Sequence, residues 1–177
     1  AATGAPSPGT RAAPDLLSAD WPGVSGRSFR PPRSGAMPDE RHVMPVEARD
    51  ALRRQYDQYE AAPGLPVDGA LTLGENIADL GGLTVAYRAY QNSLQGKPAP
   101  VIDGFTGEKR FFIGWAQVWR VKFRDEALRQ QVITGPHSPG MYRVQGVLSN
   151  MPEFYQAYDV KPGDGMHRPD DVRVKIW

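Results

Sequence analysis

The chain has 177 residues and a formal charge of +1, with 21 Lys and Arg against 20 Asp and Glu, a length suited to one domain with a real core, since domains usually run about 100–200 residues. Its basic residues are interleaved with acids, so nothing points to capture of nucleic acid or of an anionic membrane, and the absence of cysteine excludes disulfides, thiolate chemistry and cysteine-based zinc sites. No apolar run reaches the ~20 residues that span a bilayer, and the N-terminus lacks the basic-then-apolar order of a signal peptide; the chain as given reads as soluble, with cytoplasmic and extracytoplasmic compartments both open.

Residues 1–42 are rich in Ala, Pro, Gly, Ser and Arg, with Leu16, Leu17, Trp21 and Phe29 as scattered apolar anchors. Such a stretch buries too little apolar surface to offset the entropy of ordering it, so it reads as a disordered or foreign segment ahead of a folded domain over 43–177. Pro45 then opens a surface helix expected over Val46 to Ala61, rich in helix formers. Pro63, Gly64, Pro66 and Asp68-Gly69 mark a turn-rich connection.

A second helix is expected from Thr72 to Tyr90. Gly81-Gly82 in its interior destabilises it by about 1 kcal/mol per glycine unless a close neighbour needs the room. Phe112, Trp115, Trp119, Phe123 and Ala127 recur at helical spacing and make Glu108 to Val132 the strongest core helix, its aromatics read as packing. The tight loop Gly135-Pro136-His137-Ser138-Pro139 presents Ser138 as N-cap and Pro139 as first residue of a short helix through Leu148. Asn150 and Pro152 repeat that signal for a helix to Tyr158, and Lys161 to Trp177 reads as extended. The class is mainly α.

Two pairs of residues can carry chemistry. Glu75 and Asp79 stand four apart, so on a helix both carboxylates share a face, an arrangement compatible with a metal site. Thr72-Leu73-Gly74-Glu75 also reads as a capping box, in which Glu75 bonds back to the amide of Thr72 and Asp79 is a solvent-facing acid. His137 and Arg143 flank a helix start, where an imidazole and a guanidinium can together stabilise an oxyanion. A loop histidine is otherwise an ordinary surface or hydrogen-bonded residue. His42 and His167 carry no pattern.

The wording of whole stretches decides between these readings. Gly74-Glu75-Asn76-Ile77-Ala78-Asp79-Leu80-Gly81-Gly82-Leu83 with Tyr87-Arg88-Ala89-Tyr90 is followed by Trp115-Ala116-Gln117-Val118-Trp119-Arg120. Next come Pro136-His137-Ser138-Pro139, Arg143-Val144, Ser149-Asn150-Met151-Pro152-Glu153-Phe154 and a terminal Ile176-Trp177. In order and spacing this text resembles the C-terminal part of the catalytic domain of the neprilysin and endothelin-converting-enzyme family of zinc metallopeptidases, over Met44 to Trp177. The resemblance implies a mainly α portion of a zincin-type domain, a metalloendopeptidase activity on peptides of modest size, and one zinc ion. It implies that Glu75 is a zinc ligand, that Asp79 orients a zinc-binding histidine, and that His137 with Arg143 stabilises the tetrahedral intermediate.

Two departures stand against a complete site. The family's His-Glu-x-x-His helix supplies two zinc ligands and the general base, but the corresponding place holds Arg11 to Leu17 and no histidine. Gly135 stands where the family usually has an aspartate two before the histidine, which leaves His137 more loosely held. Three readings follow: a metallopeptidase fragment inactive alone, a non-catalytic domain of the same fold that binds peptides or a partner chain, and a piece that needs the N-terminal part of the peptidase simply to fold.

Overall fold

The computed structural model describes residues 44–176; the segment expected to be disordered, residues 1–42, lies outside them. Helix α1 covers Val46–Tyr56, with Pro45 at its N-cap, Glu47 in the first turn and Arg53 and Arg54 in the last, each charge complementing the helix dipole. Its buried residues Leu52, Gln55 and Tyr56 form one stripe at i, i+3 and i+4. The helix stops five residues short of the expected Ala61, because the chain turns into a small antiparallel hairpin, β1 (Glu60–Ala62) with β2 (Leu65–Pro66). Gly64 at φ 72° makes that reversal without strain.

Helix α2 runs Leu73–Ser93 and buries Asn76, Asp79, Leu80, Gly81 and Leu83 along one face. The capping box expected at its start does not form: the amide of Thr72 donates to the carbonyl of Asp68 at 3.1 Å, so it is not free for Glu75. Asp68 caps this turn instead, its carboxylate accepting from the amides of Ala70 and Leu71 at 2.8 Å each. Gly81 is buried, whereas a Cβ on Gly82 would meet only open space. The glycine pair is therefore closely packed at one position only.

Asp103 and Gly104, both at positive φ, close a turn bridged by Ile102 and Phe105. Thr106 then caps α3 (Gly107–Val118) by accepting from the amide of Lys109. The long helix expected over Glu108 to Val132 is two helices, α3 and α4 (Asp125–Thr134). Phe123 is 42% exposed and Ala127 is exposed, so the aromatic spacing beyond Trp119 marks no buried face.

Helix α5 covers Gly140–Leu148 with Pro139, not Ser138, at the N-cap, and α6 covers Pro152–Tyr158 with Pro152 at its first position. Beyond α6 the chain is a series of turns rather than the extended run expected, until Val174 and Ile176 reach the core. Helix α5 packs against α1 and α2, and α3 against α6. One core cluster joins them, in which Tyr56 and Phe112 are almost wholly excluded from water. Burying each such aromatic contributes on the order of 2–3 kcal/mol. A buried polar knot sits inside it: Asn150 donates to Gln55 Oε1 and to the carbonyl of Gly146 at 2.8 Å each, and accepts from the amide of Val174 at 2.8 Å. This knot ties α1, α5 and the C-terminal segment together.

Candidate active site

Helix α2 carries Glu75 and Asp79 one turn apart, and α5 with the loop before it brings His137 and Arg143 to the same place. Arg143 donates Nε to Asp79 Oδ2 and Nη2 to Asp79 Oδ1, both at 2.6 Å. Both side chains are nearly buried, 11% and 8% exposed. This is the bidentate fork that a planar guanidinium makes with a carboxylate. The same guanidinium lies over the Trp119 ring, its Cζ 3.7 Å from the ring centroid. Trp115 completes the setting by donating its indole N–H to the carbonyl of Arg143 at 3.2 Å.

Glu75 and His137 form the outer half. His137 Nε2 lies 3.1 Å from Glu75 Oε2, and Arg143 Nη2 lies 3.7 Å from the same oxygen. These two side chains are 40% and 47% exposed, so the cluster is walled by α2 and α5 and open on its far side. The Ser138 hydroxyl, beside His137, donates to Asn76 Oδ1, beside Glu75, at 2.9 Å. A cavity of about 290 Å³ elsewhere, lined by Leu80, Thr84, Arg88 and Glu153 among others, contains none of the four residues. The cluster is the better candidate because it gathers an acid, a base and a nearly buried cation in one place, which the lining of that cavity does not.

The four residues do not by themselves fit a zinc ion. A catalytic zinc takes about three protein ligands and an open position. Among the described residues no group of three or more His, Asp or Glu side chains is placed to hold a metal. Asp79 spends both oxygens on Arg143. Glu75 is left as a carboxylate with one histidine beside it, too few donors for the metal.

Sequence reading missed Trp119 as a site residue, because its place in the run of aromatics marked it as core. It missed Asn76 and Ser138 as well, although each is the chain neighbour of a residue singled out. The presence of glycine rather than aspartate at position 135 can be placed in three dimensions. A Cβ on Gly135 would lie 2.7 Å from the carbonyl oxygen of Gln131, while Gln131 Nε2 reaches the carbonyl of His137 at 3.4 Å. The loop is held from α4 and α2, without a carboxylate at 135.

Comparison with known proteins fits this arrangement. Human endothelin-converting enzyme 1 is 42% identical over 132 residues, covering 72% of this chain and 17% of the enzyme. Neprilysin-3 of Drosophila melanogaster is 38% identical over 135 residues, 74% of this chain and 17% of that protein. Among solved structures, the Mycobacterium tuberculosis zinc metalloprotease Zmp1 in its open state superposes with a TM-score of 0.72 at 47% identity, over 75% of this chain and 21% of that one. The chain thus spans about a sixth of the length of the curated relatives it matches. Among the described residues no helix is long and apolar enough to cross a membrane. The family model of peptidase family M13 matches residues 33–174, a stretch that takes in both helices of the cluster and the loop between them, and the chain belongs to that family.

Proposed function

We propose that this chain forms one wall of a zinc metalloendopeptidase site, and that these 177 residues alone hydrolyse no peptide. The observation that supports it is the meeting of Glu75 and Asp79 on α2 with Arg143 on α5 and His137 in the loop before it, in a cluster closed behind and open in front. In this reading Glu75 is one zinc ligand. Arg143, fixed by Asp79 and Trp119, is a cation whose position changes little when charge develops beside it. His137 is the second donor to an oxyanion on a peptide substrate. Asp79, which by family resemblance would orient a zinc-binding histidine, here orients Arg143.

The remaining zinc ligands and the general base must come from polypeptide that bears His-Glu-x-x-His, a motif found nowhere in this sequence. The test joins a relative's segment carrying that motif ahead of Met44, and measures zinc content and cleavage of a quenched-fluorescent peptide, beside the 177-residue chain. The chimera should bind zinc and cleave, and Glu75→Ala should remove both; the chain alone should do neither. Zinc-dependent cleavage by the chain alone, or a chimera indifferent to Glu75→Ala, would overturn the proposal.

A further inference from the structure

We infer that Ser138 and Asn76 are positioning residues, and that the hydrogen bond between their side chains is what sets the His137 imidazole against Glu75. The inference rests on the reading of His137 and Glu75 as site residues. The two pairs are offset by one residue on each side: Glu75 and His137 are 40% and 47% exposed, while Asn76 and Ser138, next to them, are only 0% and 1% exposed. A polar contact between half-exposed side chains contributes little by itself and does not hold a loop in place. A hydrogen bond sealed from water does, because opening it leaves buried polar groups unpaired.

The surroundings leave few other ways to hold the loop. Pro136 and Pro139 have no N–H to donate. Gln131 reaches the carbonyl of His137 only at 3.4 Å. The Ser138 hydroxyl at 2.9 Å is the short contact from this loop to α2. Its acceptor is fixed in turn. Asn76 Nδ2 donates to Thr72 Oγ1 at 3.0 Å, so Oδ1 is the atom turned to Ser138, and Thr72 Oγ1 donates to the carbonyl of Asp68 at 2.8 Å. The relay ends on the turn that Asp68 caps, so the loop is referenced to the first turn of the helix that carries Glu75.

The test uses the 177-residue chain and needs neither zinc nor peptidase activity, so it stands or falls separately from the function proposed above. Carbethoxylation of His137 by diethyl pyrocarbonate is followed by mass spectrometry of the tryptic peptide, with Glu75→Gln as the reference for an untied imidazole. Ser138→Ala should raise the rate about fivefold, the factor that matches loss of one net hydrogen bond. Asn76→Ala should raise it equally, the double variant should go no further, and Ser138→Thr, which keeps the hydroxyl, should stay near the native rate. Should Asn76→Ala not fold, the Ser138→Ala and Ser138→Thr pair still decides. An unchanged His137 rate in Ser138→Ala, whatever its melting temperature, overturns the inference, as do effects of the two single variants that multiply in the double.

Discussion

Arg143 and Asp79 face each other through two parallel 2.6 Å hydrogen bonds although 64 residues separate them in sequence, and almost no water reaches either. Removing one partner leaves the other's charge buried and unmatched. Arg143→Ala should therefore destabilise the fold by about 3 kcal/mol or more. Arg143→Lys keeps the charge but loses both the fork and the stacking on Trp119, and should fall between the two. Urea unfolding followed by tryptophan fluorescence measures both; an Arg143→Ala variant as stable as the native chain would show that the pair is not buried in solution.

Gly146 lies where α5 packs directly against Tyr56 of α1. A Cβ there would run into the phenol of Tyr56, which is wholly buried and has no room to withdraw. Gly146→Ala should cost about 1–3 kcal/mol despite the better helix propensity of alanine. Thermal unfolding by circular dichroism checks this. A stabilised variant would mean that the two helices sit further apart.

Asn150 serves three partners in three segments, so its loss orphans several groups at once. Asn150→Leu should cost about 1–3 kcal/mol for each buried group left unpaired, with Gln55 and the Val174 amide the first affected. Amide hydrogen exchange at Val174 should speed up more than exchange in α3, which does not touch the knot.

Tyr56 makes stability depend on alkaline pH. Burial pushes its phenol well above the ordinary value near 10, with Tyr59 and Asp79 adding in the same direction. The native state thus holds a proton that the unfolded chain gives up, so the stabilisation is complete below about pH 10 and declines as pH rises beyond it. Tyr56→Phe should lower stability at pH 7 by about 1 kcal/mol, through loss of the hydroxyl's bond to the carbonyl of Tyr142, and should flatten the decline above pH 10. Denaturant midpoints from pH 8 to 11 would show the two curves converging.

Much of the helical order was legible because it rests on local signals: Pro45 and Pro152 open helices, and the stretch after Pro45 is rich in helix formers. What was not legible depends on partners distant in sequence. Phe123 and Ala127 continue the spacing of Phe112 and Trp115, yet the helix ends at Val118 and Trp119 turns to lie under Arg143, 24 residues on. Thr72 and Glu75 carry the pattern of a capping box, but the Thr72 amide is already taken by Asp68. The cluster shows the same division. Spacing alone put Glu75 and Asp79 on one face, and only the family wording tied them to His137 and Arg143. The Ser138–Asn76 bond had no sequence signal beyond adjacency.

The hydrogen bonds that assemble the cluster span 62 and 64 residues, and those from Gln55 to Gly146 and Asn150 in the polar knot span 91 and 95. Contacts of that separation repay the entropy of closing their loops only late in folding. A nascent or partly unfolded chain can therefore already carry the helix bearing Glu75 and have nothing set against it. The joining of His137 to Glu75 therefore depends on these long-range contacts, and it reports that the chain has reached its native topology.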